Sequence, residues 1–158
     1  MYDFSRISVY FDSNGKLIGV PFGKDPKIEN GVIQLNTFFV LESGYTDDEL
    51  EAFISKVFDA CYSEIGTHDG PTAIQLYTKA KSYVSAVKGY QLVSVKWLKD
   101  KGYTVCPWQV DKKHKGAFME IKGISIGIKL YSKHRPIEKG AVALAFKTAM
   151  EIVKQSDV

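Results

Sequence analysis

The sequence predicts an α+β fold: a largely antiparallel sheet system built from two similar strand-rich halves and covered by helices near 46–64 and 136–154. Three observations predict it. Apolar and polar residues alternate at period two in 7–11 and 93–97, the pattern of half-buried strands. Between them, Leu50, Phe53, Ile54, Val57, Phe58 and Cys61 recur at helical spacing. At a constant offset of 86, Ile7, Val9 and Phe11 match Val93, Val95 and Trp97, Ser8 matches Ser94, and Pro21-Phe22 matches Pro107-Trp108. The 158 residues are expected to form one domain, 1–158, with an internal duplication of about 5–64 and 90–154. A period this long does not suit a solenoid.

Taken in order, Ile7, Val9 and Phe11 alternate with Ser8 and Tyr10, which places the last two on a polar face. Asp12-Ser13-Asn14-Gly15 supplies turn residues, and Leu17, Ile18 and Val20 resume the apolar pattern. Pro21 cannot donate to a ladder and is expected at a strand end or edge. Gly31 opens a longer β-like run through Leu41. Thr46 with Glu49 three residues on is a capping-box signature and starts the first helix. Residues 72–81 read as a short helix. Strands follow in 92–97, 103–108, 116–120 and 124–130, and Trp97 is expected on the buried face. Pro136 suits the first turn of a terminal helix carrying Ile137, Ala141, Leu144, Ala145 and Thr148.

Composition excludes several classes. With 45% hydrophobic and 25% charged residues and only 5 Pro, the chain is neither disordered nor fibrous. A net charge of +3 is too small to mark a nucleic-acid binder by itself. Cys61 and Cys106 match no ligand spacing, which predicts reduced thiols in the cytoplasm. No apolar run approaches the roughly 18 residues a membrane helix needs. His68, His114 and His134 have no metal-ligand spacing, so no metal and no cofactor are expected.

Three surfaces carry chemistry worth weighing. Asp111 with Glu120-Ile121-Lys122 could place two carboxylates on Mg²⁺ with a lysine beside them, the layout of a metal-dependent nuclease. The same residues read equally as the polar face of a strand. Lys96, Lys99, Lys101, Lys112, Lys113 and Lys115 interleave with Trp97, Tyr103 and Trp108, as in a basic nucleic-acid-binding module, although most of these lysines fall in turns. Residues 42–64 hold seven carboxylates against Lys56 alone. Asp47, Asp48 and Glu49 there complement the helix dipole. Asp48, Glu51 and Asp59 lie off the apolar stripe and are the predicted partner-binding residues, an acidic face able to steer a basic protein.

At 88–121, Lys-Gly-Tyr-Gln-Leu-Val-Ser-Val-Lys-Trp, then Lys-Gly-Tyr-Thr-Val-Cys-Pro-Trp, then His114-Lys115-Gly116-Ala117-Phe118 resemble the immunity proteins of bacterial contact-dependent growth inhibition systems. That resemblance implies a non-enzymatic cytoplasmic inhibitor whose partner is a cognate toxin C-terminal domain, often a nuclease. No membrane or nucleic-acid partner is implied. Some members accept a toxin β-hairpin that adds strands to their own sheet. The resemblance transfers no individual site residue.

Overall fold

The structure, a computed structural model, describes residues 2–121, 126–128 and 137–156. The first alternating run forms β1 (Phe4–Phe11). Asp12 Oδ1 then accepts from the backbone N–H of Asn14 and Lys16 at 2.9 and 3.0 Å, and Gly15 takes φ 87°, a conformation open to glycine. That turn returns the chain as β2 (Leu17–Lys24). There follow β3 (Val32–Gln34), β4 (Phe39–Leu41), α1 (Asp47–Asp59), α2 (Ala73–Thr78), α3 (Tyr83–Ala86), β5 (Gln91–Leu98), β6 (Gly102–Val110), β7 (Phe118–Glu120), β8 (Ile126–Ile128) and α4 (Ala141–Ser156). The fold is α+β, and its strands join one antiparallel sheet in the order β3-β2-β1-β5-β6-β7, with β4 also on β2 and β8 also on β6.

The offset of 86 reappears in the pairing itself. Ile7 faces Pro21 in β1–β2, and Val93 faces Pro107 in β5–β6; Phe22 faces Gln34 in β2–β3, and Trp108 faces Glu120 in β6–β7. Leu35 N–H donates to the Pro21 carbonyl at 2.9 Å and Ile121 N–H to the Pro107 carbonyl at 3.0 Å. At the centre β1 and β5 pair with Ser8 opposite Ser94, so a pseudo-two-fold axis passes between these two serines.

Two layers of helix cover the sheet unequally. On the first face α1 and α4 bury Ile7, Val9, Phe11, Leu17, Val93, Val95 and Val105 against Leu50, Phe53, Val57, Phe146 and Val153. Packing is close enough that a Cβ at Gly19 would stand 2.6 Å from Val57 Cγ2. On the second face α2 and α3 cover Tyr10, Ile18, Val20 and Leu92. Each buried Ile, Leu or Phe contributes about 1.5–3 kcal/mol of transfer free energy.

Several expectations need correction. Ser8 and Tyr10 are 1% and 0% exposed because the second face is covered too, which a period of two cannot reveal. Pro21 neither ends β2 nor lies at a free edge. Its pairing to β4 stops at Gly19 and its pairing to β3 starts at Phe22, so the missing N–H falls in the gap between them. Among the described residues, Pro107 likewise falls between the pairing of β6 with β8, which reaches Val105, and its pairing with β7, which starts at Trp108. The run from Gly31 divides into β3 and β4, and residues 72–81 give α2, with α3 added after Ser82. Trp97 is half-buried, not buried. The terminal helix begins at Ala141; Pro136 lies outside the described residues, as do Lys122, His134 and both ends of the 124–130 strand.

Candidate functional site

Side chains alternate across a strand, so Arg6, Ser8 and Tyr10 of β1 share the second face with Leu92, Ser94 and Lys96 of β5 and with Thr104, Cys106 and Trp108 of β6. The two sides of the Ser8–Ser94 axis differ in character. The side covered by α2 and α3 carries Tyr10, Leu92, Ile18, Val20 and Gln34. At the offset of 86 their counterparts are Lys96, Arg6, Thr104, Cys106 and Glu120. Every apolar member of that set has been replaced by a polar one or by cysteine.

The apolar side is closed by hydrogen bonds as well as packing. Gln34 Nε2 donates to Tyr10 Oη at 3.0 Å, and Tyr10 Oη meets Tyr83 Oη of α3 at 2.9 Å. Burial pushes both phenols up, keeping them neutral.

The polar side is built around Arg6. Its guanidinium carbon lies 4.7 Å from the Phe22 ring centroid and 5.4 Å from that of Trp108, two rings that are themselves related by the offset of 86. Trp108 Nε1 donates to Ser94 Oγ at 2.8 Å, which fixes the indole over the axis. Arg6 Nε is buried with no hydrogen-bond partner, and the guanidinium makes no ion pair among the described residues. Desolvation lowers its pKa, with Cys106, Glu120 and Tyr10 opposing. Nearby, Lys96 Nζ stands 3.7 Å from Glu120 Oε2, and the two side chains are 32% and 35% exposed. Cys106 beneath them is buried and its thiol is pushed up by desolvation, as is that of Cys61. Among the described residues, Arg6 and Lys96 face a single carboxylate, so this part of the patch carries one positive charge in excess.

The acidic residues of α1 are placed differently from one another. Glu51 is half-buried, and its Oε1 and Oε2 accept from the backbone N–H of Gly140 at 2.9 Å and Ala143 at 3.1 Å, capping α4 from another element. Asp48 pairs with Lys139 at 3.4 Å while remaining 66% exposed. Asp47 holds Lys147 at 2.6 Å. Asp59, at the far end of α1, is exposed and makes no ion pair among the described residues. Part of the charge segregation seen in the sequence thus joins α1 to α4.

Asp111 and Glu120 are not brought together. Glu120 stands opposite Trp108, three residues from Asp111 along β6, a separation of about 10 Å at ~3.3 Å per residue. Asp111 instead closes its own loop, accepting from Lys113 N–H at 2.9 Å and meeting His114 Nδ1 at 2.9 Å. Glu120 answers Lys96. Of the basic residues weighed with them, Lys99 pairs with Asp3 at 3.8 Å in the β5–β6 turn.

Sequence reasoning missed Arg6 and the second face. The signal was present in the matched pairs Ser8/Ser94 and Phe22/Trp108, since residues two positions from each serine then occupy equivalent places and can be compared across the axis.

No protein-family model matches the chain, and no curated protein matches it. Among solved structures it is similar to a protein of unknown function from Neisseria meningitidis, at 12% identity, TM-score 0.61, with 95% of each chain covered. It is also similar to a chain of the CdiA-CT/CdiI toxin and immunity complex from Yersinia pseudotuberculosis, at 11% identity and TM-score 0.58, with 96% of this chain and 98% of that one covered. At such identities these likenesses show a shared fold.

Proposed function

We propose that this chain is an immunity protein that neutralises the C-terminal toxin domain of a contact-dependent growth inhibition system by stoichiometric binding. It turns nothing over, acts in the cytoplasm, and its partner is a nuclease domain. The observation that carries the reading is the full-length similarity to a chain of a toxin and immunity complex. Its support is independent of the sequence resemblance, because it rests on topology rather than on the 88–121 string. Exposed Asp48 and Asp59 serve this function as steering charges; Glu51 spends its carboxylate on α4.

The test is co-purification with the C-terminal domain encoded by the gene immediately upstream, followed by a nuclease assay with and without this chain. A tight one-to-one complex that silences the domain is the expected result. Absence of a complex, or a complex that leaves cleavage unchanged, refutes the proposal.

A further inference from the structure

Arg6, with its Nε buried and without a hydrogen-bond partner and with no ion pair among the described residues, is costly where it stands. Its neighbours on the apolar side show that this sheet accepts leucine and tyrosine at the equivalent positions, so a guanidinium here is not a requirement of the fold. A desolvated cation without a hydrogen-bonding counter-ion is destabilising, and a group that supplies one recovers that loss. Phe22 and Trp108 flank the guanidinium and leave its N–H edge as the reactive part. That planar fork matches a carboxylate in bidentate fashion. Lys96 adds a second cation, held at 3.7 Å from Glu120, too long for a hydrogen bond of normal length. Residues 122–136, which follow β7, contain no Asp or Glu, so that segment brings no carboxylate of its own.

From these observations we infer that the polar half of the second sheet face, Arg6 between Phe22 and Trp108 with Lys96 at its rim, is the recognition pocket for an acidic side chain of the partner protein. The inference rests on the immunity reading and deepens it by naming where and by what chemistry the toxin domain is held. It places the pocket on the face opposite α1, so the acidic helix contributes to encounter and Arg6 to retention. It also accounts for a net-basic inhibitor: the partner offers a carboxylate to this pocket.

The experiment measures association and dissociation rates of the full chain with the upstream-encoded C-terminal domain for wild type, Arg6→Gln, Arg6→Lys and Lys96→Gln, each first checked for an unaltered thermal melt. Arg6→Gln is expected to weaken binding roughly tenfold or more, mainly through faster dissociation. Arg6→Lys keeps the charge but loses the fork and should fall in between. Lys96→Gln, at a position 32% exposed, keeps the test available if the Arg6 variants fail to fold. Variants that fold and dissociate at the wild-type rate overturn the pocket while leaving the immunity reading intact. A wild-type chain that does not bind the domain at all overturns both.

Discussion

Asp25 shows what a single side chain does here. Its carboxylate is 3% exposed, accepts from Lys27 N–H at 2.8 Å, and lies 2.7 Å from His68 Nε2, in a loop whose counterpart at the offset of 86 holds Asp111, Lys113 and His114. The histidine contact and then the backbone N–H hold the Asp25 carboxyl below its ordinary value near 3.8. A carboxylate with a lowered folded-state pKa contributes stability that is present above its unfolded value and lost as pH falls through the folded one. Urea midpoints measured from about pH 6 to pH 3 should therefore decline in the wild type, and Asp25→Asn should start lower and decline less. Equal slopes would show that the contact adds nothing. His68 and Asp25 stand 43 residues apart in the sequence, and only the folded chain joins them.

Among the elements, the start of α1 was legible, while its end was not: the helix expected over 46–64 stops at Asp59, short of Cys61. Thr46 Oγ1 accepts from Glu49 N–H and Glu49 returns to the Thr46 N–H, the capping box that its spacing announced, and Leu50, Phe53, Ile54 and Val57 are the buried stripe. Local signals sufficed because cap and stripe both lie within the helix. The start of α4 was not legible, since its cap is Glu51, from an element 89 residues earlier. Removing that cap leaves N–H groups of the first turn unpaired and takes away one of the contacts that join α4 to α1, the Asp47–Lys147 pair and the shared core remaining. Glu51→Ala should destabilise the fold by about 1–2 kcal/mol in urea denaturation. Glu51→Gln, which keeps one acceptor but loses the charge, should cost less. If Glu51→Ala melts with the wild type, the cap is incidental. The strand before α1 was misread for a related reason: the run from Gly31 has β propensity throughout, but β2 offers two short edges with Pro21 between them, and a partner strand decides where a strand breaks.

Considered whole, the molecule is a pseudo-symmetric sheet with asymmetric cover. The layer formed by α2 and α3 holds one half of the second face shut, and on the other half the described residues present Arg6, Lys96 and Glu120. The first face is closed by α1 and α4, whose outer surface offers Asp48 and Asp59 to solvent. No described helix is long and apolar enough to cross a membrane. Charges far from the contact act on encounter more than on retention. Reversing Asp48 and Asp59 together is expected to change the association rate with the toxin domain several-fold, in a salt-dependent way, with dissociation and stability nearly unchanged. An association rate equal to wild type at low salt removes α1 from the binding account.

What the sequence determined by itself is whatever is encoded along the chain: the fold class, the β1–β2 turn, the capping box that starts α1, and the 86-residue correspondence, which the pairings of β1 with β2 and of β5 with β6 repeat. Tertiary structure decided the rest. Whether Tyr10 is buried, why two prolines lie inside paired strands, and which of the three predicted carboxylates, Asp48, Glu51 and Asp59, makes no ion pair or cap among the described residues all depend on partners arriving from elsewhere in the chain. The same is true of Arg6. In sequence it is a charged residue near the start of an alternating strand; in the fold it is a desolvated cation between two rings, because the axis at Ser8 and Ser94 brings Phe22 and Trp108 to either side of it.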